Sequence, residues 1–171
     1  IKNHEYSIIL RPHPQHVRHK REYMEALKTK YADNDDIEIQ TDFSSNDTVF
    51  EADLLITDWS GIAYEYAFTT HKPVLFINTP MKVMNPEYKK INVEPINITL
   101  REKIGCSVNM DELDKLEEKV QNLFDQKDSY YEAIGKFVEE HIYNLGTSAE
   151  VGAKYIVSSL KTKIEERKKG N

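Results

Sequence analysis

Short apolar runs alternate with helix-like patterns through the first two-thirds of the chain. Four apolar runs predict strands, at residues 6–10, 37–40, 54–57 and 73–77. Three segments with helical spacing or a capping pattern predict helices between them, at residues 15–31, 48–51 and 62–69. This alternation is typical of βαβ units and predicts an α/β domain with a parallel sheet. The run at 54–57 does not alternate with polar residues, so we expect that strand to be buried on both faces.

The rest of the chain follows a different pattern. Residues 78–103 contain three prolines and form a long irregular stretch, and loops of this length are usually functional or disordered. After it we predict only helices, and the capping pattern of residues 147–150 opens the last of the three. That helix is expected to turn four apolar side chains inward, namely Val151, Tyr155, Leu160 and Ile164. Residues 1–160 are predicted to form one domain and residues 161–171 a charged, frayed tail.

The composition is ordinary for a globular protein, with 39% hydrophobic and 30% charged residues in a chain of 171. The formal charge of −6 argues against general nucleic-acid binding. The charge is uneven, because residues 1–31 contain seven Lys or Arg, three Glu and four of the six His. A basic opening segment of this kind can present a positive cleft to an anionic small molecule.

Cysteine content and hydropathy bear on where the protein acts. The single cysteine, Cys106, cannot form an internal disulfide, which fits a reducing cytosol. We expect it to be a small buried hydrophobe rather than a nucleophile. No apolar run approaches the roughly 18 residues that a membrane span requires, and no signal peptide opens the chain. Because the chain begins at Ile1 and reaches its first strand at once, we expect it to be a fragment of a longer protein.

The first polar cluster, Arg-Pro-His-Pro at residues 11–14, follows the first predicted strand. The two prolines hold His13 on a stiff, non-helical loop. Arg11 offers a fork of donors to phosphate, and His13 can donate to phosphate or accept a proton from a hydroxyl. The alternative is a strand-ending turn whose histidine bonds locally.

The second cluster, Thr57 to Gly61, lies between the third predicted strand and its helix. Gly61 lets the backbone approach a ligand, while Ser60 and the free N–H groups of the helix start can bind an anion. Asp58 can orient Ser60, bind a ribose hydroxyl or cap the helix. Glu65, one turn further on, can reach a ribose or remain a solvated glutamate. In an open parallel sheet ligands bind beyond the carboxyl ends of the strands, so both clusters are expected at one edge.

Two other kinds of site are not expected. His13, His16 and His19 recur every three residues, but no carboxylate or cysteine has matching spacing for a metal. A serine-hydrolase elbow needs Gly-x-Ser-x-Gly, and the residues before Ser60 lack the first glycine.

Three motifs resemble the CDP-glycerol glycerophosphotransferase family, the polymerases and primases of teichoic-acid-like polymers. They are Arg-Pro-His-Pro at 11–14, the strand ending in Leu-Ile-Thr-Asp-Trp-Ser-Gly at 54–61, and Lys-Pro-Val-Leu-Phe at 72–76. Gly-Thr-Ser-Ala at 146–149 also resembles that family's ending. Gly61 stands where the family often has a second serine.

The resemblance implies a GT-B fold, in which two Rossmann-like domains face each other across a cleft. This chain would be the C-terminal, nucleotide-binding half, a three-layer α/β/α domain. It also implies transfer of glycerol phosphate from CDP-glycerol to a hydroxyl acceptor, with release of CMP, in the synthesis of cell-wall or surface polymers. The implied partners are a nucleotide-activated donor, a lipid-linked or polymer acceptor and the N-terminal half of the same protein, and not nucleic acid. No cofactor is expected beyond the donor, and the expected location is cytoplasmic, with peripheral contact at the inner face of the membrane.

Residue roles follow by motif. Arg11 and His13 would hold the diphosphate or serve the attacking hydroxyl, with His13 as the catalytic residue. Four residues would take the phosphate and the nucleotide: Thr57, Asp58, Ser60 and Gly61. Glu65 would take the ribose.

Two other functions stay open from the sequence. One is a different GT-B enzyme, either a nucleotide-sugar glycosyltransferase or a UDP-sugar 2-epimerase-like enzyme. The other is a binding or scaffold module that keeps the fold without chemistry. The isolated chain is expected to be inactive in each case, because the acceptor side would be missing.

Overall fold

The computed structural model describes residues 6–81, 87–91 and 93–169. The strands in chain order are β1 (Ile8–Leu10), β2 (Ile37–Ile39), β3 (Leu55–Thr57), β4 (Val74–Asn78) and β5 (Gly105–Asn109). The first helices are α1 (Pro14–His19), α2 (Arg21–Tyr31), α3 (Asp47–Glu51), α4 (Ile62–Thr70), α5 (Ile96–Thr99) and α6 (Arg101–Ile104). The last are α7 (Leu116–Asp125), α8 (Lys127–His141) and α9 (Ser148–Lys169), and short 3-10 turns lie at Tyr88–Lys90 and Leu113–Lys115.

The strands form two parallel groups. β1 pairs with β2, with Ile8 opposite Ile37. β4 lies between β3 and β5 in a three-stranded sheet, and Val74 is paired with both Leu55 and Gly105. Every strand pair is parallel and helices connect the strands, so the predicted parallel α/β class is confirmed.

Helices cover both faces of β4. Val74 and Phe76 pack into a cluster with side chains of α4, α6 and α8. Leu75, which points to the opposite face, packs against Val120 and Leu123 of α7. The three β4 side chains are no more than 1% exposed. The core therefore has the layer order helix, sheet, helix, as in a Rossmann-like domain.

β3 differs from its predicted environment. We expected this strand to be buried on both faces, but Ile56 is 39% exposed. β3 is an edge of the three-stranded sheet and pairs only with β4 in the part of the chain that is described. Both strands have a continuous apolar run, but only β4 is buried on both faces, whereas β3 is partly exposed.

β5 was not predicted, and the irregular stretch is partly ordered. The sequence predicted an irregular stretch at residues 78–103 and only helices after it, whereas α5, α6 and β5 occupy residues 96–109. Gly105 lies so close to β4 that a Cβ atom there would fall 1.7 Å from the carbonyl oxygen of Val74. A short strand that begins with a glycine, a cysteine and a serine has little apolar periodicity from which to predict it.

Two helices also differ from expectation. The single helix predicted at 15–31 is broken at Lys20, whose φ of −126° and ψ of 56° are not helical. Before the break no α1 side chain is buried, whereas α2 buries Met24. The four α9 side chains expected to point inward are between 42% and 72% exposed. No described residue of α9 is buried. An apolar stripe shows that one face of a helix is suited to packing, but it does not show that another element packs against that face.

Among the described residues, no helix is long and apolar enough to cross a membrane.

Candidate functional site

Arg11, which follows β1, binds the turn that opens α3. Its guanidinium donates to the Ser45 carbonyl oxygen at 2.6 Å and to Asn46 Oδ1 at 3.0 Å. A longer contact of 3.5 Å reaches Thr48 Oγ1 within α3. Phe43 lies 5.5 Å below the guanidinium, measured to its ring centroid. Arg11 therefore fixes the end of β1 to the start of α3.

His13 is the N-cap of α1 and is exposed. Its Nδ1 accepts a hydrogen bond from the backbone N–H of Gln15 at 3.2 Å. Because Nδ1 acts as an acceptor, the neutral ring carries its proton on Nε2. The second ring nitrogen, Nε2, is thus available as a donor. The alternative interpretation, a histidine that bonds locally, therefore holds for Nδ1. It does not account for Nε2, which makes no hydrogen bond to another described residue.

The turn between β3 and α4 has unused backbone donors. In the described structure, the N–H groups of Trp59, Ser60, Gly61 and Ile62 donate to no other residue. No side chain caps α4, so Asp58 does not have the capping role that the sequence left open. Free N–H groups at the start of a helix attract anions through their partial positive charge.

The side chains of this turn are also uncommitted. Asp58 is exposed and Ser60 is half-buried, and neither makes a side-chain hydrogen bond to another described residue. Thr57 ends β3 and is half-buried, while Glu65 is exposed in the first turn of α4. The geometry therefore offers two free carboxylates and two free hydroxyls around the backbone donors.

The two predicted clusters lie on separate strand pairs. Across the described residues, no hydrogen bond, ion pair or ring contact joins Arg11 or His13 to residues 57–65. α3 connects them indirectly, since Arg11 bonds its first turn and Val49 of α3 packs on the cluster that contains α4. Each cluster is at the carboxyl end of its own parallel strand.

Arg101, which no sequence motif indicated, lies beneath the β3–α4 turn and is 4% exposed. Its Nη1 donates to the Asp58 carbonyl oxygen at 3.1 Å and its Nη2 to Asn78 Oδ1 at 2.7 Å. The guanidinium carbon also lies 4.0 Å from the ring centroid of Trp59 and 4.3 Å from that of Phe76. Burial lowers the pKa of this guanidinium below its ordinary value. The available signal was an arginine between two apolar residues at helical spacing, Leu100 and Ile104, at the end of the stretch predicted to be irregular.

Polar side chains continue from Arg101 across the edge of the sheet. Asn78, at the end of β4, donates to Asn109 Oδ1 at the end of β5 over 2.9 Å. Asn109 donates in turn to Glu112 at 2.7 Å, and Lys115 donates to the same carboxylate at 2.7 Å. The bond from Lys115 lowers the pKa of Glu112. The ends of β3, β4 and β5 are thus linked by side chains into one edge.

The motif at residues 72–76 has a structural role. Lys72, just before β4, donates to the carbonyl oxygen of Ala52 at 2.8 Å and lies 3.6 Å from the Asp53 carboxylate. These contacts are at the amino ends of the strands, on the side of the sheet away from the turn at residues 58–61. The remainder of the motif forms the buried part of β4.

Cys106 and metal ligands complete the chemical inventory. Cys106 is half-buried beside a cavity of about 250 Å³ that Lys119 and Tyr130 also line. Burial raises the pKa of its thiol. Within the described residues, no group of three His, Cys, Asp or Glu side chains could hold a metal ion.

A parallel α/β domain with free N–H groups at a strand-to-helix turn is typical of proteins that bind phosphate-bearing ligands. The sequence model of one family, described as CDP-Glycerol:Poly(glycerophosphate) glycerophosphotransferase, matches residues 1–157. The chain belongs to this family and is therefore of the glycerophosphotransferase type. Comparison with curated proteins and with solved structures found no match.

Proposed function

We propose that this chain is the nucleotide-binding domain of a transferase that moves glycerol phosphate from CDP-glycerol to a hydroxyl of a growing polymer. The family match over residues 1–157 carries this proposal. We propose no organic cofactor beyond the donor, because the donor itself brings the activated group.

The diphosphate of the donor is proposed to bind the turn between β3 and α4. The free N–H groups of residues 59–62 support this, since a phosphate can accept all of the bonds that they offer. Ser60 adds a hydroxyl donor, and Thr57 can add another. Glu65 and Asp58 carry negative charge and are exposed, so their proposed ligands are ribose hydroxyls and not phosphate.

His13 is proposed to donate from Nε2 to a phosphate oxygen of the donor. Its bond with Gln15 supports this role over that of a base, because Nδ1 is already an acceptor and Nε2 carries the proton. Arg11, whose guanidinium bonds the α3 turn, then holds the His13 loop in place and adds positive charge.

In the proposed step, the oxygen of the acceptor hydroxyl attacks the phosphorus that carries glycerol. The bond from that phosphorus to the oxygen of CMP breaks, CMP leaves, and the hydroxyl proton passes to solvent or to the leaving phosphate. Such transfers depend mainly on positioning and charge stabilisation. The acceptor is proposed to lie across a cleft, held partly by an N-terminal half of the same protein. The proposed location is the cytoplasm, peripheral to the membrane inner face, because the family's acceptors are lipid-linked.

Ligand-dependent thermal stability tests the donor. CDP-glycerol and CMP should each raise the melting temperature, because a ligand at about 100 times its Kd stabilises the folded state by about 2.7 kcal/mol. CDP-ribitol, UDP-sugars and UMP are the comparison ligands. Stabilisation by the uridine compounds alone would contradict the proposal and favour a nucleotide-sugar enzyme.

Turnover tests the reaction. The full-length protein, given CDP-glycerol and a poly(glycerophosphate) acceptor, should release CMP in proportion to polymer growth. Donor binding with no CMP release under any acceptor would instead indicate a binding module.

A further inference from the structure

Arg101 is the one charged side chain that is buried among the described residues. Its guanidinium lies over the rings of Trp59 and Phe76. It donates hydrogen bonds to two uncharged oxygens, the backbone carbonyl oxygen of Asp58 and Oδ1 of Asn78. No described carboxylate lies within 4.0 Å of it, although the Glu102 and Asp58 carboxylates act on it from further away. A buried cation is costly unless a counter-charge is close, so this fold leaves a positive charge only partly compensated.

The contacts of Arg101 also set the direction of the turn. The Asp58 carbonyl points inward to the guanidinium, and in a trans peptide the following N–H points the opposite way. Trp59 N–H is that group, and it is the first of the four free donors. The Trp59 indole is fixed as well, since its Nε1 donates to the Thr79 carbonyl oxygen at 2.8 Å. Arg101 therefore holds the first of these donors, the Trp59 N–H, pointing away from the guanidinium.

We infer that Arg101 is a positioning residue that makes the β3–α4 turn selective for multiply charged phosphate ligands. It does so by orienting the backbone donors and by placing an incompletely compensated positive charge beneath them. The ligand class is a nucleoside diphosphate or its ester, whose negative charge would compensate the positive charge of Arg101. This inference rests on the proposed function of the same turn.

The test measures the affinity of the full-length protein for cytidine, CMP and CDP by titration calorimetry. Arg101→Gln removes the charge and should weaken CDP binding at least about tenfold, CMP less, and cytidine by no more than about twofold. Arg101→Lys keeps the positive charge but loses the paired donors of the guanidinium. Its CDP affinity should lie between those of Arg101→Gln and the wild type.

Asn78→Asp is the variant that retains Arg101. A carboxylate at the position of Asn78 Oδ1, 2.7 Å from the guanidinium, pairs the buried charge. The melting temperature should be kept or raised while CDP affinity falls, a combination that a merely structural role does not give. Asn78→Ser is the control, and it should lose less CDP affinity than Asn78→Asp.

The outcomes separate the two proposals. Equal losses for all three ligands in Arg101→Gln, or unchanged CDP affinity in Asn78→Asp, would overturn the inference and leave the proposed function standing. Wild-type protein that binds neither CMP nor CDP would overturn the proposed function, and the inference with it.

Discussion

At the residue scale, His13 combines an exposed ring with a fixed orientation. Its Nδ1 is used by the N-cap bond to Gln15, so the other nitrogen faces solvent as a donor. His13→Ala should lower CMP release about 100-fold to 1,000-fold, the usual cost of removing one donor that stabilises the charge of the transition state. Stability should change by only about 1 kcal/mol, because a single cap is lost.

The control for this variant is His19→Ala, since His19 is also exposed and ends the same helix. It should release CMP at the wild-type rate. Near-normal turnover in His13→Ala, measured alongside it, would exclude His13 from the reaction.

Gly61 offers a second test at the residue scale. A Cβ atom at this position meets nothing within 4 Å, and the backbone is helical, with a φ of −62°. Gly61→Ser should therefore fold normally and, by adding a hydroxyl donor beside the free N–H groups, raise CDP affinity. Calorimetry and thermal unfolding measure both effects, and an unchanged CDP affinity would place the phosphate elsewhere.

Cys106 gives a pH-dependent prediction. Burial raises the pKa of its thiol, and only the thiolate reacts with alkylating reagents. The rate of iodoacetamide labelling should therefore rise with pH through a midpoint above that of a free cysteine, about 8.5. A midpoint at or below that of glutathione, measured in parallel, would show that the thiol is activated and not merely packed.

At the scale of elements, sequence patterns located the strands that carry apolar runs. β1, β2, β3 and β4 all overlap their predicted positions, because four or five consecutive apolar or alternating residues leave a readable period. β5 has no such period, because its position depends on pairing with β4 and on the close approach that Gly105 allows. The candidate clusters at residues 11–14 and 57–61 could be found because they follow predicted strands. Arg101 could not, because its role depends on contacts made only after folding.

Gly105→Ala tests the account of β5. A methyl group there would collide with the backbone of Val74, which is not a flexible side chain, so the variant should lose about 1–3 kcal/mol of stability. Gly152→Ala, in the exposed helix α9 with nothing within 4 Å, is the matched control. It should gain up to about 1 kcal/mol from helix propensity. Equal unfolding midpoints for the two variants would contradict the close approach of β4 and β5.

At the scale of the whole molecule, the domain presents a group of free backbone donors for one of the two substrates. The free N–H groups at residues 59–62 suit the nucleotide, and the polymer is proposed to be held partly by an N-terminal half of the same protein. The isolated 171-residue chain should bind CMP, yet release none from CDP-glycerol. Activity assays on the isolated chain and on the full-length protein check this, and turnover by the isolated chain would contradict the proposed division.

The central claim is that one donor molecule is shared by His13 and the β3–α4 turn, which no direct contact joins among the described residues. The most direct measurement is a crystal structure of the full-length protein with CDP-glycerol. The account predicts phosphate oxygens within about 2.7–3.2 Å of backbone nitrogens among residues 59–62, with His13 Nε2 bonded to the same diphosphate. A nucleotide bound elsewhere, or His13 and Ser60 too far apart to touch one ligand, would contradict it.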